Sequence, residues 1–310
     1  MLYNDLGIMD VKGGKHMEKG LEQTLESFQI RKSKAEKFIL LGGIAMVVAV
    51  LMFALFSEQG MVVPGIIIGV VAAVLLVMGL SGFSKVTHDF KHNFLVKMMG
   101  ELIEDGVYEP KNGLSHHQVY ATEFLKKADR FKTEDMIRGK IDGVSFISSD
   151  VKLEERRVRH TKNGTQTYYV TYFLGRIFVF EFNKEFDGYL QCLEQGRPTV
   201  NRRYDKIQLE SIEFNKKFTT YATNPHSAFY VLTPHFMESM MKFERENPGK
   251  LGFSFLDTKL YVGINNNKDT FELTMFRKID KQLIESFKKD IQVIYDLVDD
   301  LKLNNDIFKK

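Results

Sequence analysis

The sequence predicts an α+β protein, in which an N-terminal transmembrane helical hairpin is followed by a mostly antiparallel sheet domain with flanking helices. Three observations carry this expectation. Residues 38–56 and 61–83 are apolar stretches without a single charge, separated only by Ser57, Glu58, Gln59 and Gly60. After Ile137, short runs of β-branched and aromatic residues alternate with Gly and Asn turn signals. Helix-start signals lie before and after those runs.

The two apolar stretches come first. A helix needs roughly 20 apolar residues to cross the hydrocarbon core of a bilayer. Both stretches meet that length, and the connector is too short to cross back, so the helices are expected to be antiparallel neighbours. Pro64 falls in the first turn of the second helix, where its missing N–H costs little. Gly42, Gly43, Gly65 and Gly69 offer small faces, and Gly65 and Gly69 have the GxxxG spacing that lets backbones approach. Arg31, Lys32, Lys34 and Lys37 precede the hairpin, and Lys85, Lys91 and Lys97 follow it. The positive-inside rule then puts both ends in the cytoplasm and the connector outside. The expected organisation is an N-terminal cytosolic tail (1–37), the hairpin (38–83), a juxtamembrane helix (84–107) and a cytosolic α+β domain (108–310). Residues 12–17 back-translate to a purine-rich ribosome-binding sequence followed by ATG. The sequence therefore offers two equal readings, a natural start at Met17 with residues 1–16 as leader, or an ordinary Gly-containing tail.

Composition narrows the rest. The chain has 310 residues, 27% charged and 44% apolar, and a net charge of +3. That charge is too small to argue for nucleic acid by itself. Cys192 is the sole cysteine, which excludes an intramolecular disulfide and a cysteine-based zinc site.

Residues 83–105 read as a helix, with apolar residues recurring every three to four positions. Ser115 is a good N-cap for a helix to about residue 127. Thr133, Glu134, Asp135 and Met136 suggest a short helical turn. Runs 141–152, 166–173, 176–182, 207–214 and 218–221 read as strands. Asn163-Gly164 reads as a hairpin turn. Asn224-Pro225 and Thr233-Pro234 start helices, the second reaching about residue 246. Runs 251–256 and 260–264 are expected to pair around Asp257, Thr258 and Lys259. Run 270–275 is the last expected strand, and Asp280 caps a final amphipathic helix to about residue 303.

The search for chemistry finds little. There is no GxxxxGK[ST] loop, no GxGxxG after a strand, no HExxH and no GxSxG, so no cofactor, catalytic or metal-ligating residue is predicted. His116 and His117 are adjacent on a helix and point about 100° apart, which suits an exposed helix start better than a metal. His88 and His92 share a helix face but lack a third ligand. One charged cluster stands out: Lys152, Arg156, Arg157, Arg159, His160 and Lys162, around the expected hairpin tip. Its functional reading is contact with an anionic surface, either lipid headgroups or nucleic acid. Its plainer reading, which is preferred, is a solvated strand end balanced by Glu154 and Glu155. No stacking aromatics interleave with the arginines in the run, which disfavours nucleic acid.

A set of motifs adds a resemblance. They are Tyr108-x-Pro110-x-x-Gly113, Glu134-Asp135-x-Ile137-x-Gly139-Lys140-Ile141, the run from Phe178 to Phe186, and Phe218-x-x-Tyr221-Ala222-Thr223-Asn224. Leu232-Thr233-Pro234-x-Phe236-Met237 and Leu260-Tyr261-Val262 complete it. Together they resemble a bacterial family of two-helix membrane proteins that carry a C-terminal domain of unknown function and are often encoded near LemA-type genes. The resemblance covers roughly residues 20–300. It implies a bacterial membrane protein and carries over no catalytic residue.

The function expected is a membrane-anchored, non-enzymatic binding or scaffold module. The alternative is a membrane-surface enzyme whose carboxylates are brought together by folding. A pore or transporter of oligomerised hairpins ranks last, because neither apolar stretch carries an ionisable residue. The partners expected are the lipid bilayer and another membrane protein, with nucleic acid disfavoured.

Overall fold

The computed structural model describes residues 14–56, 62–162, 164–194 and 204–303, without the side chains of 14–20 and 182–185. Most of the expected leader, the connector 57–60 and Asn163 of the expected turn lie outside the described residues. The fold is α+β, with two long apolar helices followed by an antiparallel sheet and flanking helices. The described chain divides into two compact units. One comprises the N-terminal residues through Lys91 together with Glu272–Ser286, and the other His92–Phe271 and the residues from Phe287 onward.

In the first unit, α1 (Gly14–Phe56) is a single helix of 43 residues. At 1.5 Å per residue it is about 64 Å long, twice a hydrocarbon core. The apolar half is therefore only its C-terminal part. Helix α2 (Val62–Asp89) follows. The close contacts run in opposite senses along the two helices, Gly42 meeting Leu76 and Gly79 meeting Ile39, so the pair is antiparallel. The tight approach is not where GxxxG suggested. A Cβ on Gly79 would lie 2.8 Å from Ile39 N, and one on Gly42 2.9 Å from Leu76 N. By contrast, Gly43 faces open space and Gly69 is only in ordinary contact with Ala49. The outward side chains, such as Leu40, Val47, Phe53, Ile66 and Val77, are large, apolar and exposed.

Helical chain continues through a π-helical turn (Phe90–Leu95) and α3 (Val96–Leu102), then gives way to strand β1 (Glu104–Glu109). The helix thus ends before the expected residue 105, because β1 pairs with β2 from Glu104 onward. The second unit is built on a seven-stranded sheet in the order β1-β2-β3-β4-β6-β5, with β7 also paired to β4. Its strands are β2 (Arg130–Ile141), β3 (Val144–Thr161), β4 (Gly164–Glu194), β5 (Asp205–Ile207), β6 (Phe218–Ala222) and β7 (Lys250–Asn265). The helices among them are α4 (His116–Tyr120), α5 (Ile212–Lys217), α6 (Pro225–Val231) and α7 (Pro234–Glu246), and α8 (Lys281–Asp300) follows.

Strand β4, at 31 residues, organises the sheet. It pairs with β3 along its first half, with β7 from Gly175 to Leu193 and with β6 from Leu190 to Glu194. The runs expected as two strands, 166–173 and 176–182, are therefore one. Gly175 permits this, since a Cβ there would lie 2.0 Å from Ile264 O on β7. One face of the sheet buries Val151, Leu153, Phe173, Ile177 and Val179 against Val119, Phe124 and Leu125. Near the other end, Phe236 packs near Phe255, and Phe243 and Phe218 pack edge-on against Phe253.

Several sequence expectations are corrected here. Helix α4 stops at Tyr120 instead of reaching residue 127, although Ser115 does cap it in a full capping box with Gln118. The expected helical turn at Thr133 lies inside β2, where the register shifts between Glu134 and Ile137. Asp135 adopts φ 55° in that bulge, a left-handed conformation that Asp tolerates better than most residues. Runs 251–256 and 260–264 do not pair with each other; they form β7, and both pair with β4. Asp257, at φ 53°, sits where that ladder shifts register. Residues 212–214 belong to α5 rather than to a strand, because Ser211 accepts from Phe214 N as an N-cap. Residues 270–275 form turns joined by irregular chain at 272–274 instead of a final strand.

Candidate functional site

The cationic cluster lies on a two-stranded ribbon. Lys152 is opposite Leu174, and β2 pairs with β3 no further than Glu154. Beyond that point only β3 and β4 continue, paired from Glu155↔Val170 to Thr161↔Gly164. At 3.4 Å per residue this two-stranded part is about 24 Å long. Residues 156–162 and 164–169 are all exposed. With both faces in solvent there is no core to build, so the ribbon's side chains are available for contact.

The register sorts the residues by face. Arg156 lies opposite Tyr169, Val158 opposite Thr167 and His160 opposite Thr165 on one face. Arg157 lies opposite Tyr168 and Arg159 opposite Gln166 on the other. Val158, Tyr168 and Tyr169 are 44%, 46% and 37% exposed. Aromatic rings therefore do interleave with the arginines, contrary to the reading of the run alone. They come from the returning strand. A two-residue turn at Asn163-Gly164 would set Arg159 against Tyr168, whereas the ladder closes at Thr161↔Gly164 and sets Arg157 there, so the pairing was not legible from the turn signal.

Charge is graded along the ribbon. At its base, Glu154 pairs with Lys152 at 3.0 Å and Arg130 at 3.9 Å. Glu155 pairs with Lys126 at 2.8 Å and Arg157 at 3.6 Å. The Lys152 hydrogen bond foremost holds the Glu154 carboxyl below its ordinary value, and Lys126 does the same for Glu155. Arg130 also stacks on Tyr169, 3.4 Å from the ring centroid. Arg156, and further out Arg159 and Lys162, have no ion-pair partner among the described residues. No acidic residue occurs between Glu155 and Glu181. The five predicted residues thus split: Lys152 and Arg157 are ion-paired to Glu154 and Glu155, while Arg156, Arg159 and Lys162 have no ion-pair partner among the described residues.

A second polar constellation, in the interior, was not predicted. Arg176 Nη1 donates to Asp150 Oδ1 at 2.8 Å and to Thr270 Oγ1 at 2.8 Å. Its Nη2 donates to Asp135 O at 2.7 Å, and Nε to Ser148 Oγ at 3.3 Å. The other Asp150 oxygen accepts from Thr270 N at 2.6 Å and from the Thr270 hydroxyl. Tyr108 donates to Asp135. Carboxylate oxygens of Asp135, Asp150 and Asp269 come within 4.8 Å of one another. The guanidinium supplies the countercharge of Asp150 alone, and both oxygens of that carboxylate are committed to donors of the chain itself. This satisfies a buried charge in the way that stable interiors require. A lone Arg and scattered Asp give no sequence signal for it.

Cys192 is fully buried beside Thr220, and burial pushes its thiol up to about 12. His116 stacks on Phe131, with ring centroids 3.8 Å apart.

The fold and the ribbon together define an α+β protein with two helices long and apolar enough to cross a membrane and a cationic β-ribbon. Comparison with known proteins adds one match: residues 171–303 fit the family model described as "Protein of unknown function (DUF3137)". That segment begins at the base of the ribbon's returning strand and ends after α8. No curated protein matches the chain. One solved structure, of the mycobacterial trehalose monomycolate transport factor A, TtfA, is similar at 8% identity and a TM-score of 0.34. The alignment covers 64% of this chain and 88% of that one.

Proposed function

We propose that this chain is a membrane-anchored, non-enzymatic binding module, whose ribbon docks on an anionic surface. In this reading residues 38–83 cross the cell membrane twice, and residues 1–37, 84–107 and 108–310 lie on the cytoplasmic side. The uncharged apolar stretches support the crossing, and the flanking lysines and arginines support the orientation. The layout is also like that of bacterial two-helix membrane proteins often encoded near LemA-type genes.

The carrying observation is the unbalanced ribbon. Arg156, Arg159 and Lys162 project from a segment with no carboxylate between Glu155 and Glu181. Exposed tyrosines opposite the arginines suit a membrane interface, where amphipathic rings sit at headgroup level. Each cation near an anionic leaflet contributes about 1 kcal/mol. A carboxylate enzyme is less well supported, since Arg176 and Thr270 already engage Asp150.

The test uses the full chain in nanodiscs of zwitterionic lipid, mixed with anionic or neutral vesicles. Binding to anionic vesicles, lost in R156Q/R159Q/K162Q and at high salt, is the expected result. Equal binding to neutral vesicles would contradict the proposal. Binding of a single-stranded oligonucleotide with no vesicle binding would reassign the ribbon to nucleic acid.

A further inference from the structure

The segment Glu272–Ser286 lies in the same compact unit as α1 and α2. Three hydrogen bonds tie its backbone to one stripe of α1. Ile279 N donates to Gln29 Oε1 at 2.7 Å, Lys32 Nζ donates to Arg277 O at 2.7 Å, and Phe276 N donates to Glu36 Oε1 at 2.6 Å. Lys32 also pairs with Glu36, and both side chains are buried. Spacings of three and four residues keep these groups on one helix face. The same face continues into the apolar stretch. There, Phe276 borders an apolar groove along α1 formed by Ile39, Leu40, Gly43, Ile44, Val47 and Val48.

The chemistry changes abruptly along this loop. Met275 and Phe276 are 37% and 65% exposed, an unfavourable state for such side chains in water. Arg277 and Lys278 follow at once, both exposed. Lys34, Lys37 and Lys85 are exposed on α1 and α2 at the same end of the hairpin. None of these five cations has an ion-pair partner among the described residues. The other nearby cations do: Arg31 is matched by Asp89, Lys32 by Glu36 and Lys91 by Glu272. An apolar wedge followed by unpaired cations reproduces the layering of a leaflet, acyl chains and then phosphates.

We infer that residues 274–278 form a third membrane contact, in which Met275 and Phe276 enter the acyl layer beside α1 while Arg277, Lys278 and Lys37 hold the phosphate of an anionic phospholipid. The groove beside Phe276 takes an acyl chain of that lipid. This rests on the reading that α1 and α2 span a bilayer. It adds that the segment matching the family model is itself pinned to the membrane at a defined loop.

The chain contains no tryptophan, so single Trp substitutions report depth without interference. Phe276→Trp and, separately, Phe53→Trp are placed in the full chain and reconstituted into nanodiscs containing brominated lipids. Phe53 is exposed on α1 within the apolar stretch, so it reports on the span alone. Expected is blue-shifted, bromine-quenched emission from both. Quenching of Phe53→Trp without quenching of Phe276→Trp would overturn the loop and leave the span intact. Absence of quenching in both would overturn the span and the loop with it. The headgroup is tested by moving the bromine from zwitterionic to anionic phospholipid at equal mole fraction. The reporter at position 276 should be quenched more by the anionic lipid, and R277Q/K278Q should abolish that preference. Equal quenching by both lipids before those substitutions would overturn the phosphate contact.

Discussion

Arg176 and Asp150 form an ion pair of 2.8 Å inside the sheet unit, where the two residues are only 5% and 4% exposed. The pair joins four pieces of chain, because Asp150 is on β3 and Arg176 on β4, and Arg176 also reaches Asp135 O in the β2 bulge and Thr270 in the turns after β7. Removing one partner from such a pair leaves an uncompensated buried charge. Asp150→Ala should destabilise the unit by about 3–5 kcal/mol. A compensated D150L/R176M variant should recover much of that loss, since buried pairs replaced by apolar residues are often neutral. Thermal unfolding of the full chain in mild detergent measures both. A double variant no better than Asp150→Ala would show that Arg176 stabilises through its other bonds.

The hairpin makes a sharper prediction than its GxxxG spacing did. Gly79→Leu places a side chain against Ile39 and the carbonyl of Ala35. Overpacking of this kind costs about 1–3 kcal/mol. Gly43→Ala adds a methyl that meets nothing within 4 Å and should not lower stability. Unfolding temperatures of the two variants in detergent should differ accordingly, and equal temperatures would refute the helix contact.

Cys192 should be inert in the folded chain. It is 0% exposed and its thiol is raised to about 12 by burial. Only the thiolate reacts, so maleimide labelling at pH 8 should be slower than in denaturant by about a hundred-fold or more. Rapid labelling of the native chain would mean that β4 opens at Cys192.

Asp296 on α8 gives a pH signature. Burial chiefly, then Asp300 and Glu246, push its carboxyl above the ordinary value, while the Gln292 hydrogen bond and Lys242 act the other way. The folded state therefore holds this proton more tightly than the unfolded chain. The associated stability is full below the unfolded value of 3.8 and is lost as pH rises through the higher folded value. Asp296→Asn should accordingly unfold at a higher temperature than the parent at pH 7. The difference should close as the pH falls below that of the unfolded carboxyl. A variant less stable at pH 7 would show that the charge is needed.

What was legible followed local signals. The hairpin, the caps at Ser115, Asn224 and Thr233, and most strand runs come from composition and spacing within a few residues. What failed depends on partners far along the chain. Thr133-Glu134-Asp135 has the composition of a helix start, yet pairing with β3 makes it a bulge. Asp257-Thr258-Lys259 has the composition of a hairpin turn, yet the length of β4 keeps β7 whole. The same division holds at the sites. The cations of the ribbon were visible as a run, but Tyr168 and Tyr169 needed a strand register. The loop at Phe276 needed the tertiary bonds to Gln29, Lys32 and Glu36, which no spacing encodes.

The central claim is a two-pass anchor with its large domain on the cytoplasmic side, and impermeant thiol labelling of intact cells tests it most directly. Glu58→Cys in the connector and Arg159→Cys on the ribbon are placed singly in the otherwise unchanged chain, whose own Cys192 is buried and silent. The account predicts labelling of Glu58→Cys in intact cells and of Arg159→Cys only after permeabilisation. Labelling of Arg159→Cys in intact cells would contradict it.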